Sequence, residues 1–246
     1  MGGGGRSRRE KWRKSAAVAL CVVAQAIPAA DLSGVRIYTD NDPPYVIADD
    51  KTGIPGGTAT RKVLAILVRL KLPASTIRVV PWSRGYNEAK NRPYAMIFPI
   101  AKTRERQGFL DFTVKLLDSE VSFYRLRSRT DLSLSSLEDA RKHRICVVQD
   151  DYRHEYLVGE GFMQLELASD STLNVKKFIA GRCDLIMSTE NGILSKLTSL
   201  GKDPSLVEKA LPVRNLDSAL YAAFNKATPP DVIEAFRHAA KGLDSM

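Results

Sequence analysis

The sequence predicts an α/β protein of two Rossmann-like lobes joined by two extended crossing strands. Three observations carry that expectation. Short β-rich runs alternate with helical patterns from Val35 onward, which implies βαβ units and a largely parallel sheet. The same alternation then starts again near Arg144, as a second set of elements without sequence repetition. Between and after the two sets lie extended stretches, Glu120 to Tyr124 and Ser218 to Phe224. A chain of 246 residues, 44% hydrophobic and 26% charged, has room for two small domains of ordinary globular composition.

In the first set, Val35 to Thr39 alternates apolar and polar before a turn-rich stretch from Asp40 to Pro44. Gly56-Gly57-Thr58 opens a helix, with Thr58 as its expected N-cap and Val63, Leu64, Leu67 and Val68 as its apolar face. Thr76 to Val80 reads as a strand, Ser83 to Lys90 as a helix, and Ala95 to Phe98 as a strand ended by Pro99. In the second set, Arg144 to Val148, Leu165 to Leu167 and Asp184 to Met187 read as strands. Helices are expected at Asp151 to Gly159, Leu173 to Ile179 and Gly192 to Leu200, with a last one at Val232 to Leu243. Lobe 1 is thus expected at 35–119 and 218–246 and lobe 2 at 120–217, with hinge strands near 120–124 and 214–219.

The N-terminus reads as an export signal. Arg6, Arg8, Arg9, Lys11, Arg13 and Lys14 precede an apolar run from Ala16 to Ile27, and small residues follow. A basic segment, an apolar core of about 7–15 residues and a small-residue cleavage site define such a signal. Ala24-Gln25-Ala26 fits the cleavage pattern best, with Ala29 or Ala30 as alternatives, so the signal occupies 1–26 or 1–30. The run is short of the ~20 residues a spanning helix needs. Leu20 before Cys21 is larger than the residue a lipoprotein site wants. The expected location is periplasmic.

Charge and composition set aside several function classes. Of the formal charge of +9, residues 1–26 hold +5, and the remaining +4 is scattered rather than gathered in a nucleic-acid-binding stripe. His143, His154 and His238 stand apart, with no Cys/His spacing for a metal and no nucleophile–base constellation, so neither metal nor cofactor is expected. Cys146 and Cys183 would remain in an oxidising compartment. They read either as a disulfide or as two buried thiols, and the apolar runs beside them favour thiols.

Several short segments, in order, resemble the bacterial extracellular solute-binding proteins of family 3, the substrate-binding components of polar amino-acid ABC transporters. They are Tyr38-Thr39-Asp40 with Pro43-Pro44-Tyr45, Gly53 with Gly56-Gly57, Trp82, Thr103 to Arg106 with Asp111-Phe112-Thr113, and Gly181 to Asp184. The resemblance runs from about Val35 to Leu243. It implies the periplasmic-binding-protein type II, or Venus-flytrap, architecture. A monomer would capture a small amino-acid-like or carboxylate ligand between its lobes and present it to an ABC permease in the inner membrane.

Residue by residue, Arg106 matches the arginine that grips a ligand carboxylate, which a planar guanidinium does bidentately. Thr103 and the backbone at Pro99 and Ala101 match the neighbouring ligand loop. Tyr45 matches a stacking aromatic, and Trp82 is a second wall. In lobe 2 the resemblance places Asp151 and Tyr152 at a helix start where small hydroxyl residues are usual. Thr189 falls where an ammonium-binding aspartate is usual, with Glu190 beside it. Either Glu190 replaces that aspartate or the ligand lacks an α-ammonium group. Two other roles share the scaffold: a cyclohexadienyl-dehydratase-like enzyme with Glu190 or Asp151 as acid, and a sensing module for a membrane receptor. Catalysis is not expected.

Overall fold

The computed structural model describes residues 1–3 and 30–243, so the expected signal and its cleavage site lie outside the described residues. Among the described residues, ten strands and seven α-helices make two five-stranded sheets with helices packed on them. The first sheet runs β2-β1-β3-β10-β4, built from β1 (Arg36–Thr39), β2 (Ile77–Val79), β3 (Ala95–Ala101), β4 (Leu110–Leu117) and β10 (Leu220–Asn225). The second runs β7-β6-β8-β5-β9, from β5 (Val121–Leu126), β6 (Ile145–Val148), β7 (Leu165–Ala168), β8 (Leu185–Thr189) and β9 (Val207–Val213). This is the two-lobed α/β architecture that the sequence predicts.

The sheets are mixed rather than largely parallel. β1 pairs in parallel with β2 and β3, and β6 with β7 and β8. β10 is antiparallel to both β3 and β4, and β5 to both β8 and β9. The antiparallel pairs arise because β4 and β5 follow one another across the molecule, as do β9 and β10. Each passage leaves one sheet and enters the other. Residues 118–120 make the first passage and 214–219 the second. Ser119 and Ser218 meet there in a reciprocal pair, each hydroxyl donating to the other's carbonyl.

Local differences from expectation have local causes. The apolar stripe of α1 (Thr58–Arg69) buries Ala59, Val63, Ile66 and Leu67, and leaves Val68 exposed. Gly57, not Thr58, caps that helix. Its φ of 106° and the Tyr45 carbonyl, 2.4 Å from where a Cβ would stand, admit only glycine. β3 continues through Pro99 to Ala101 instead of ending. Proline is tolerated because pairing with β1 stops at Ile97 and the β10 register shifts opposite it, between Tyr221 and Ala223. β9 is a strand that the sequence pattern did not announce.

Helix starts in lobe 2 follow local chemistry. Asp151, Asp170 and Thr189 cap α4 (Tyr152–Gly159), α5 (Ser171–Ile179) and α6 (Glu190–Ser199), each side chain accepting a first-turn N–H. Helices α2 (Trp82–Asn91) and α7 (Pro230–Ala240) pack on the first sheet, and α7 places Phe236 edge-on against Phe224, 4.9 Å between ring centres. Helix α3 (Leu137–Arg141) precedes β6.

Cys146 on β6 and Cys183 before β8 form a disulfide, with Cα atoms 5.7 Å apart, correcting the expectation of two thiols. The apolar surroundings that suggested thiols are real, since both residues are buried among Val175, Phe178 and Ile193. Burial and bonding are compatible. The crosslink spans 37 residues. Replacing both cysteines with alanine should therefore lower the unfolding free energy by about 3–4 kcal/mol in denaturant titration.

Candidate ligand-binding site

The two sheets face each other across a cavity at the carboxyl ends of β1, β3, β6 and β8, where open α/β sheets ordinarily bind ligands. Its free volume is small, about 60 Å³. By the ~10–15 Å³ that one water needs on this measure, it holds a handful of waters or a compact solute. Asp40, Asp42, Tyr45, Trp82, Pro99, Ala101 and Arg106 line it from the first sheet's side. Asp151, Tyr152, Arg153, Ser171, Thr189 and Lys196 line it from the second.

Arg106 is completely buried, just after β3. Its guanidinium donates to the Ala101 carbonyl (3.2 Å), to the Asp150 carbonyl across the cleft (3.1 Å), and to Glu155 Oε1 on α4 (2.8 Å). The rings of Trp82 and Tyr86 flank it, 5.8 and 5.3 Å from their centres. Glu155 sits one turn after the cap Asp151, so α4 presents both carboxylates toward the first lobe. Arg106 Nε and Trp82 Nε1 are buried donors without an acceptor among the described residues.

Two further contacts join the lobes. Tyr45 Oη lies 2.6 Å from Thr189 Oγ1, in a buried hydrogen bond. Lys196 reaches from α6 to Asp42 Oδ1 (2.7 Å) and the Pro43 carbonyl (3.0 Å), with Ser171 Oγ donating to the same Asp42 oxygen (3.0 Å). Gly192 makes room for this arrangement, since a Cβ there would stand 2.7 Å from Thr189 Oγ1. Within lobe 2, Arg153 holds Asp151 through both carboxylate oxygens, at 2.6 and 2.8 Å. Burial pushes the Asp151 carboxyl up, but the charge and hydrogen bonds of Arg153 outweigh it and hold the group below its usual range.

Asp40 differs from these paired groups. It is half-buried at the end of β1, and among the described residues no cation lies within ion-pair distance of it. Burial, then repulsion from Asp42, push its carboxyl up to about 7, with Asp151 adding to the rise and Lys196 opposing it.

The structure brings most of the residues named from sequence to this cavity: Tyr45, Trp82, Pro99, Ala101, Arg106, Asp151, Tyr152 and Thr189 line it. Two do not. Thr103 turns back to accept from the Arg106 amide (3.3 Å). Glu190 is exposed, pairs with Lys209 (3.2 Å), and borders a separate cavity beyond the Tyr45–Thr189 contact. It lies outside the cavity that Asp40, Arg106 and Asp151 line. The sequence reading did not name Asp40, Asp42, Arg153, Glu155 or Lys196 as site residues. Only Lys196 left a signal, as a lysine flanked by buried Ile193 and Leu197 on the inner face of α6.

Among the described residues no group of acids, histidines or cysteines has metal-binding geometry, and no helix is long and apolar enough to cross a membrane.

Comparison with solved structures places the fold among the periplasmic binding proteins. A histidine kinase sensor domain with similarity to periplasmic binding proteins superposes with a TM-score of 0.70 at 18% identity, covering 84% of this chain and 88% of its own. An ancestral arginine-binding protein bound to arginine gives 0.69 at 14% identity, covering 86% and 92%. An amino acid ABC transporter substrate-binding protein from Streptococcus pneumoniae, bound to L-arginine, gives 0.69 at 16% identity, covering 87% and 89%. No protein-family model matches the sequence, and a search of curated proteins finds no match.

The raised Asp40 carboxyl has a pH signature. A carboxyl whose folded pKa lies near 7, against 3.8 unfolded, contributes stability fully present below about pH 4 and lost as pH rises through about 7. Between pH 4 and 7 the wild-type unfolding free energy should fall relative to Asp40→Asn, by at most about 1.4 kcal/mol per pH unit. Parallel denaturant titrations of the two proteins check this.

Proposed function

We propose that this protein is an extracytoplasmic binding protein that captures a small solute between its lobes and presents the closed form to an ABC-type permease. The observation that carries the reading is the cavity itself. Side chains from both lobes line it, and Tyr45–Thr189, Asp42–Lys196 and Arg106–Glu155 span it. A hinge at the two passages near 118–120 and 214–219 would let those contacts separate and re-form around a solute. The solute supplies differential affinity for the closed form, which is what a conformational signal requires. The expected lobe limits, 35–119 with 218–246 and 120–217, suit such a motion.

A sensing role is the second reading, favoured by the likeness to a histidine kinase sensor domain. The same capture and closure would then act on a membrane receptor. A dehydratase-like role has less support from the two acids that the sequence offered for it. Arg153 holds the Asp151 carboxyl below its usual range and Glu190 stands outside the cavity, while the raised carboxyl at the cavity is that of Asp40.

Thermal unfolding of the purified protein against a panel of amino acids, amines and small carboxylates tests capture. A compound that binds only the native state adds about 2.7 kcal/mol at 100 times its dissociation constant. We expect one chemical class to raise the melting temperature and to reduce the radius of gyration in scattering; a flat panel in a folded protein counts against capture. Export has its own check. Expression of the full chain in a Gram-negative host should yield periplasmic protein whose N-terminal sequence begins after Ala26 or after Ala29 or Ala30. Recovery from the cytoplasm with Met1 intact would count against it.

A further inference from the structure

Each cation at the cavity already has a carboxylate of the protein itself. Arg106 is matched by Glu155, Arg153 by Asp151, and Lys196 by Asp42. The start of α4, where the partial positive charge of a helix favours an anion, is occupied by Asp151. A ligand carboxylate entering this cleft would find no uncompensated positive charge. It would also meet Glu155 and Asp151 where it should bind, and like charges in a desolvated site repel strongly. The charge left over is negative. Asp170 lies exposed at the rim and caps α5, while Asp40 faces the cavity half-buried and without a paired cation. At the same cavity the buried Arg106 Nε and Trp82 Nε1 lack acceptors among the described residues. With the Arg106 charge already balanced, a neutral oxygen suffices to satisfy them.

Resting on the capture reading above, we propose that the cleft selects a compact organic cation that lacks a carboxylate, with Asp40 receiving the cation. Glu155 is the specificity determinant: by occupying Arg106 it denies that guanidinium to ligands bearing a carboxylate. The closed cleft thus uses a protein carboxylate where an amino acid would bring its own. Specificity arises from the repulsive element as much as from the attractive one.

Pairs of compounds that differ in the carboxylate test this: glycinamide against glycine, ethanolamine against serine, and agmatine against arginine, by calorimetry at pH 8. In the wild-type protein at least one amine should bind at least tenfold more tightly than its acid. Asp40→Asn should weaken that amine at least tenfold. Glu155→Gln, which keeps an acceptor for Arg106 but removes the charge, should improve binding of the matching acid at least tenfold. Circular dichroism confirms that each variant is folded. Should Glu155→Gln not fold, the wild-type pairs and Asp40→Asn decide alone. Wild-type binding of an acid as tightly as its amine overturns the proposal while leaving solute capture standing. Amine binding with no gain for acids in folded Glu155→Gln overturns the role of Glu155. No binding of any of the six compounds to wild type or variants overturns the proposal and counts against capture as well.

Discussion

A guanidinium with no access to water must be matched where it lies, and the boundary between the lobes is organised around that demand. Removing an ion from water costs several kcal/mol even after the protein relaxes, and only close, well-aligned partners offset it. Arg106 meets the requirement with two carbonyls, one carboxylate and two aromatic faces. Two of those partners, Asp150 and Glu155, belong to the other lobe. The burial of one side chain therefore depends on the relative position of the two sheets, and opening the cleft would return Arg106 to water. The Asp42–Lys196 pair repeats the logic with the lysine in lobe 2, itself nearly buried.

These internal pairs change how the cleft should be read. In an arrangement whose cations are free, the ligand completes the electrostatics. Here the protein completes most of it alone, and the remaining imbalance sits at Asp40. Burial and Asp42 push that carboxyl up, and under the proposal above it is the group that would receive an incoming cation. The two unpartnered donors near Arg106 say where a neutral acceptor would help.

The architecture was largely legible in the amino-acid order because its causes are local. Alternating β-rich runs and helical stripes, and capping residues such as Asp151, declare themselves within a few positions. β9 did not. Its sequence mixes Glu208, Lys209 and Pro212 with apolar residues, and it becomes a strand only because β5 offers an edge to pair with. The cavity was half legible. Residues carried by short motifs, such as Tyr45 and Arg106, could be named. Thr189 was named as well, but its pairing with Tyr45, 144 positions away, was not. Glu155, 49 positions from Arg106, went unnamed because no local pattern links such partners. Thr103 was drawn in by the family resemblance and Glu190 by its place next to Thr189. The turn after β3 and the start of α6 direct them elsewhere.

The serines at the two passages bear on how the lobes could move. Two separate strands between rigid bodies can in principle bend, slide or twist independently. Ser119 and Ser218 lace the strands together at one height, each closing a hydrogen bond on the other's backbone. Laced in this way, the passages would act as a single flexure in the closure proposed above. The motion would then be close to one rotation about an axis through that point, with sideways shear suppressed. A pair of lobes so constrained would return to the same register on shutting, so that side chains as distant in sequence as Tyr45 and Thr189 would meet again without a search.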